Sequence, residues 1–406
     1  MPATNQNLRI LLLAPGISIH SQRFLQMLLD AGHTVTFVDS HAPKLERTGR
    51  CKFVPLPSTR LERSRLRGTS RLSSWIKLAK LRLIWQNAQP DLVHVHWVDY
   101  RAFQCAQARL HPLVLTCWGS DINNLFDPDH QDREYRQRIA RALAVADHIT
   151  ADSPEVVERC EILAGSKLNT SLFYFGIDTN LFRPGYTEQA QALREQLGIP
   201  LCARVMLSPR ALRPLLGHHH VLEAFACIAN QPQFDDVVLV FKRFLLLADG
   251  YEERLKARTC ELGLDRRVYW MDEIPYEQMP AEYAIADIVV NYPERDGFPV
   301  TLLEAVACKR VVISSDLPAY RGAFENLSVT VPPCNVDALA DAMRSCLTEE
   351  SFLRRERVEK VFRIVSEKGT REKQMQVIEN VYETLVCNKR RTALITKLMR
   401  PNRRGV

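Results

Sequence analysis

Along most of the chain, short apolar runs alternate with stretches of helical periodicity. Residues 8–14 form a continuous apolar run of strand length, a loop follows at 15–20, and residues 22–31 carry Phe24, Leu25, Leu28 and Leu29 at helical spacing before Gly32, a natural helix stop. Residues 34–38 are β-branched and aromatic, which predicts a second strand. A strand, loop, helix and strand in this order predict the start of a parallel, doubly wound sheet. Further strands are expected at 92–95, 113–116, 148–151 and 172–175. A Pro-Gly break and a polar helix within 183–200 read as a connection. The pattern then restarts, with strands at 204–207, 237–241, 268–271, 288–291 and 311–314 and helices at 221–229 and 301–307. From Asp337 onward the chain reads as charged helix, with a long amphipathic helix at 370–386.

Two βαβ arrays in tandem suit a chain of 406 residues, which is too long for one ordinary α/β domain. The expected division is an N-terminal Rossmann-like domain at 1–184, a C-terminal one at 185–369, and a returning helix with a basic tail at 370–406. The composition is that of ordinary globular protein, 46% hydrophobic and 25% charged. Eleven cysteines are scattered singly with no C-x-x-C pair, which argues against a disulfide framework or zinc knuckle and for a reducing, cytoplasmic setting. No apolar window reaches the roughly 18 residues of a membrane span, and the N-terminus lacks the pattern of a signal peptide.

The net charge is +7, unevenly placed: residues 60–82 are crowded with Arg and Lys, and 387–406 hold seven basic residues and no acid. An anionic partner would explain this, and so would a solvated basic face. Residues 74–85 (with Trp75, Ile76, Leu78, Leu81, Ile84 and Trp85 among Lys77, Lys80 and Arg82) fit either a helix resting on an anionic bilayer or one packed on the sheet. The tail adds a weak amphipathic signal from Leu394, Ile395, Leu398 and Met399. No nucleic-acid reader motif is present, so no nucleic-acid partner is expected.

The stretch 291–304, NYPERDGFPVTLLE, carries the most chemistry. A buried strand ends in a polar loop, Gly297 permits close approach, and Pro299 is suited to the first helical position. The open helix N-terminus offers N–H groups to a phosphate. Glu304 lies in an apolar run and needs a partner, which vicinal ribose hydroxyls could supply. Alternatively, Thr301 and Glu304 form a capping box.

Asp296-x7-Glu304 within D-G-F-P-V-T-L-L-E-A resembles the E-x7-E signature of the retaining GT-B glycosyltransferases, in particular glycosyltransferase family 4. Seven further segments occur in that family's order: 18–35, 90–97, 116–122, 146–153, 175–184, 208–215 and 314–321. The resemblance implies two Rossmann-like domains facing across a cleft. The first would bind the acceptor and the second a nucleoside-diphosphate sugar, with no metal and no other cofactor. It places Glu304 on the ribose and Asp296, shorter than the usual Glu, on the transferred sugar. Backbone at Gly297, Phe298 and Val300 would line the diphosphate, while Pro299 has no N–H to give. Arg210 matches the diphosphate-binding arginine. The lysine that usually accompanies it is replaced by Leu215 or Leu216, and Lys242 with Arg243 could compensate or simply end a strand. Trp118 stands where family members commonly have a sugar-orienting His, leaving Asp121 and His96 as the nearest polar candidates. Asp121 could equally cap the following segment, and His94 and His96 could be satisfied strand-end residues. His20 and Arg23 fall where the first loop would meet the acceptor, or face solvent beside a capping Ser21. His218, His219 and His220 are consecutive at a helix start and expected to point apart, against a shared metal.

The function implied is transfer of a sugar, with retention, to an acceptor hydroxyl of a glycan or glycolipid in bacterial surface polysaccharide or glycolipid synthesis, and the basic stretches add the expectation of peripheral attachment to the inner membrane face. The alternatives are a sugar-nucleotide epimerase of GT-B architecture and a non-catalytic binding subunit.

Overall fold

The computed structural model describes residues 7–44, 49–56, 69–127, 132–243, 250–322, 324 and 326–398, with 69–74 and 393–398 described by backbone alone. The chain divides into two compact units, residues 1–175 with 374–406, and residues 176–373.

In the first unit the elements run β1 (Arg9–Leu13), α1 (Ile19–Asp30), β2 (Thr34–Asp39), β3 (Cys51–Pro55), α2 (Thr69–Ala88), β4 (Leu92–His96), α3 (Tyr100–Ala108), β5 (Leu113–Cys117), α4 (Ser120–Asn123), α5 (Arg133–Val145), β6 (His148–Ala151), α6 (Pro154–Ala164) and β7 (Thr170–Leu172). The strands form one sheet in the order β3-β2-β1-β4-β5-β6-β7, with every pairing parallel. Central strands β4 and β5 are buried along their whole length, as near-continuous apolar runs require when both faces are covered.

In the second unit come α7 (Thr187–Leu197), β8 (Arg204–Ser208), α8 (His218–Ala229), β9 (Val237–Lys242), α9 (Tyr251–Glu261), β10 (Val268–Met271), α10 (Met279–Ile285), β11 (Ile288–Asn291), α11 (Val300–Ala307), β12 (Val311–Ser315), β13 (Val329–Val331), α12 (Val336–Thr348) and α13 (Ser351–Lys368). Its six-stranded sheet has the order β10-β9-β8-β11-β12-β13, again all parallel. The last helix, α14, spans Arg371–Leu398. Its Met375, Ile378, Val381, Tyr382 and Val386 join the core of the first unit with Leu12, Phe24 and Phe173.

The structure departs from the sequence expectation at the sheet edges. Strands β3 and β13 carry no strong pattern: β3 contains Lys52 and Pro55 and is only half-buried, and β13 has three residues. The strand expected at 172–175 is Thr170–Leu172 instead. Phe175 has a φ of 62°, outside extended backbone, so the chain turns there and buries Phe173 in the core. Residues 176–184 fall in the second unit, where Ile177 pairs with Thr370. Residues 60–68 of the basic stretch, and Met399 with the rest of the tail, lie outside the described residues.

Among the described residues, no helix is long and apolar enough to cross a membrane. On α2, Leu81 and Ile84 enter the core, while Trp75, Ile76 and Leu83 are exposed. Two of its basic groups are engaged locally, Lys80 Nζ on the Pro55 carbonyl and Arg82 Nε on that of Ala108. All eleven cysteines are unpaired.

Candidate functional site

Ligands in open α/β sheets bind at the carboxyl ends of strands, where the strand order reverses. In the second unit that point lies between β8 and β11, which are neighbours in the sheet but not in sequence. Arg210 follows β8 and Asn291 ends β11. The sheet brings them together: Arg210 Nη1 donates to Asp296 Oδ2 at 2.6 Å and to Asn291 Oδ1 at 3.2 Å, and Nη2 donates to Asp296 Oδ1 at 3.4 Å. Such a forked contact fixes the guanidinium in a plane. Burial works against the charge on Arg210, but the Asp296 carboxylate outweighs it and lifts the pKa above the ordinary arginine value. Tyr320 completes the group. Its hydroxyl donates to Asp296 Oδ2 at 3.3 Å and accepts from Asn291 Nδ2 at 2.9 Å. From behind, His218 Nε2 lies 3.2 Å from the Arg210 carbonyl, and burial holds that imidazole neutral, its pKa pushed down to about 4.

The loop from Asp296 leads through buried Gly297, Phe298 and Pro299 into α11. Pro299 is extended and serves as the N-cap, so the helix starts at Val300, one residue later than Pro299 at the first helical position would require. The capping-box alternative fails. The Thr301 hydroxyl is buried without a partner, and Glu304 Oε2 accepts a 2.7 Å bond from the Tyr283 hydroxyl of α10. Glu304 is 2% exposed. Burial, with Glu304 close by, raises the Tyr283 hydroxyl well above its ordinary pKa, so it stays a donor. Tyr283, as the partner of Glu304, is a residue that the sequence does not pick out. The cue was there, since a carboxylate in an apolar run demands a donor.

Lys242 ends β9 and is paired inside the protein with Glu282, at 2.5 Å, with side chains 2% and 0% exposed. Burial pushes Glu282 up to about 7, with Lys242 pulling the other way. Arg243 is tied to Glu252 and Asp272. Both cations therefore have acidic partners already, while Leu215 and Leu216 occupy a turn, Pro214–Leu216, just before α8.

In the first unit, an aromatic cluster gathers at the carboxyl ends of β4 and β5. Trp118 meets His20 edge-on at 5.4 Å, Trp97 at 5.4 Å and Phe175 at 5.7 Å between ring centroids. His20 therefore faces this cluster. Helix α1 starts at Ile19 with Ser18 as its N-cap, and Ser21 is buried inside the helix, so it is not the cap. His96 accepts a bond from Trp118 Nε1 at 3.3 Å and lies on Phe24 at a centroid distance of 3.9 Å. It is fully buried, and burial drives its pKa well down. Asp121 does not cap the segment that follows. Its oxygens accept the backbone N–H groups of Val98 (2.8 Å) and Trp118 (2.9 Å), holding the loops after β4 and β5. Burial raises Asp121 to about 7 against those two bonds. His94 is satisfied on both sides, by Tyr382 and by Thr116, each at 2.6 Å.

The three consecutive histidines do not all diverge as expected: the rings of His219 and His220 lie 3.9 Å apart and both approach Glu294.

Comparison with known proteins identifies the family and the fold. Residues 9–153 match the family "Glycosyl transferase 4-like", and residues 189–362 match "Glycosyl transferases group 1". The putative teichuronic acid biosynthesis glycosyltransferase TuaC of Bacillus subtilis is 24% identical over 258 residues, 63% of this chain and 60% of that protein. The chain spans less than two thirds of the length of the curated relatives it matches first. Sucrose-phosphate synthase from Thermosynechococcus elongatus superposes with a TM-score of 0.76 at 19% identity, covering 94% of this chain and 100% of the other. Anabaena HepE, solved in complex with UDP, gives a TM-score of 0.75 at 17% identity, covering 93% and 100%. The fold is thus GT-B. With the two family matches together covering well over half of its length, the chain belongs to the group 1, family-4-like glycosyltransferases.

Proposed function

We propose that the protein transfers a sugar from a nucleoside-diphosphate sugar to an acceptor hydroxyl with retention of configuration, using the second unit to hold the donor. The observation that carries this reading is the meeting of Arg210, Asp296 and Asn291 at the strand-order reversal, beside the N-terminus of α11 with Glu304 one turn inside it. In this reading Arg210 and the free N–H groups of α11 stabilise the charge that grows on the departing diphosphate. Glu304, oriented by Tyr283, receives the ribose hydroxyls. Asp296 keeps Arg210 in plane and faces the transferred sugar. Lys242 and Glu282 support the same region from within.

The acceptor falls to the first unit, where Trp118, Trp97 and His20 offer aromatic faces of the kind that pack on sugar rings. Asp121 and His96 act there by positioning Trp118. A glycan or glycolipid acceptor in surface polysaccharide synthesis fits the teichuronic acid relative. The exposed Trp75, Ile76 and Leu83 on a helix rich in Lys and Arg fit approach to an anionic membrane from the cytoplasmic side.

Binding of nucleoside diphosphates by calorimetry tests the donor assignment, starting with UDP, the ligand of the HepE structure. Glu304→Gln should weaken the nucleoside diphosphate about tenfold or more, the scale of a lost charged hydrogen bond. Unchanged affinity would remove Glu304 from the ribose. Acceptor-dependent release of nucleoside diphosphate, with the product anomer read by NMR, separates a retaining transferase from an epimerase and from a non-catalytic subunit.

A further inference from the structure

His219 and His220 open helix α8, and Glu294 lies on the loop between β11 and α11 that also carries Asp296. The loop is held against the helix start by its backbone: Glu294 N–H donates to the Leu215 carbonyl at 2.9 Å. Consecutive helical residues ordinarily diverge, but in a first turn no preceding turn blocks side chains that lean back toward the N-terminus. Here one ligand atom from each of the three residues falls within 4.8 Å of the other two. The separations from Glu294 Oε1 are 3.5 Å to His219 Nε2 and 3.4 Å to His220 Nε2.

Those distances are informative. A charge-assisted N–H···O bond closes to about 2.7–2.9 Å, and neither contact does. Two ligand atoms each about 2.0–2.1 Å from a tetrahedral zinc stand about 3.3–3.4 Å apart, close to the two spacings from Glu294 Oε1. The far nitrogen of His219 has a hydrogen-bond partner, as a metal-binding histidine does. Its Nδ1 is 2.9 Å from the Tyr251 hydroxyl, whose oxygen already accepts the His219 backbone N–H at 3.0 Å. When Nδ1–H donates to that oxygen, the resulting tautomer frees Nε2 for a metal. Side-chain exposures of 40%, 19% and 36% leave the three residues open to solvent entry.

We propose that His219, His220 and Glu294 form a binding site for a divalent transition-metal ion of zinc type, with two imidazole nitrogens and one carboxylate oxygen as ligands and a fourth position left to solvent. The site is separate from the donor assignment, since none of its ligands is one of the residues assigned to the nucleotide sugar. A bound ion would clamp the loop before Asp296 to the first turn of α8.

Cobalt(II) titration of the full chain tests this, because nitrogen and oxygen ligands give visible d–d bands whereas thiolates add an intense near-ultraviolet charge-transfer band. One visible-band site is expected, displaced one-for-one by zinc. His220→Ala and Glu294→Gln should each lower its affinity by about tenfold or more, and Tyr251→Phe by a similar factor through the orientation of His219. Because an ion bound to the folded state alone stabilises it, zinc should raise the unfolding temperature of the wild type and not of the Glu294→Gln protein. Equal cobalt affinity in wild type and both ligand variants, or a spectrum of thiolate character alone, overturns the proposal.

Discussion

At the scale of single residues, the Arg210–Asp296 pair ranks the chemistry. Arg210 presents a rigid fork to Asp296 and Asn291, and a lysine could carry the charge but not the plane. If Arg210 stabilises the leaving diphosphate, Arg210→Met should lower kcat about 100-fold or more, as loss of one preorganised donor does, and Arg210→Lys should recover only part. Steady-state rates at saturating donor decide it; three similar kcat values would take Arg210 out of the reaction. Lys242 shows where residue-level reading runs short. A lysine at a strand end looks available, yet its partner Glu282 lies 40 positions away and nothing local to Lys242 announces it. The buried pair makes a different prediction, one of stability. Lys242→Met strands the Glu282 carboxylate, and removing one member of a buried pair costs about 3–5 kcal/mol, measurable by urea unfolding. Glu304 was legible because a carboxylate inside Leu302-Leu303-x-Ala305 is conspicuous. Tyr283 was not, because its contact depends on α10 packing beside α11.

Among the elements, the inner strands could be read from the sequence because both their faces are buried, which makes them continuous apolar runs. Strands β3 and β13 could not, since an edge strand pairs on one side and tolerates Lys, Pro and shortness. The start of α8 was ambiguous for a related reason: its first turn, Gly-His-His-His, has no apolar pattern. Backbone geometry fixes it instead. Gly217 caps the helix at φ +70°, and a Cβ built there would lie 2.0 Å from the Tyr292 carbonyl oxygen. That close approach lets the loop after β11 lie against α8, so it sets the positions of both Arg210 and Asp296. Gly217→Ala is therefore expected to do more than the roughly 1 kcal/mol of a strained left-handed residue. It should push the loop away and weaken nucleoside-diphosphate binding along with stability. Calorimetry on the folded variant checks this; binding equal to wild type would show that the approach of α8 to the loop does not govern the site.

For the molecule as a whole, the way the last helix joins the first unit leads to a prediction about pH. Amphipathic spacing at 370–386 marks a helix but not what it covers. Tyr382 supplies that information, because its hydroxyl begins a buried chain through His94 to Thr116 and Thr150, crossing β4, β5 and β6 with each link 2.6 Å long. Burial, assisted by His148, pushes the His94 pKa down to about 3. In the unfolded chain a histidine titrates near 6.5. Between these values the unfolded state binds a proton that the folded state refuses, so stability from His94 is complete above pH 6.5 and is lost as pH falls toward 3, by about 1.4 kcal/mol per pH unit. Asp121, raised to about 7, has the opposite sign: its contribution is present below the ordinary carboxylate range and is lost as pH rises toward 7. The two partly cancel in the wild type, so the informative quantity is a difference between proteins. Urea unfolding of the first unit's transition from pH 7 to pH 5 should show the His94→Gln protein less acid-sensitive than the wild type by about 2 kcal/mol over that interval, most of it below pH 6.5. Tyr382→Phe should lower stability by about 1–3 kcal/mol near pH 7, through the partner His94 loses. Parallel pH profiles for wild type and His94→Gln would mean that the imidazole is not held neutral by the sheet and the helix above it, and that the chain from Tyr382 to Thr150 does not bind this helix to its domain.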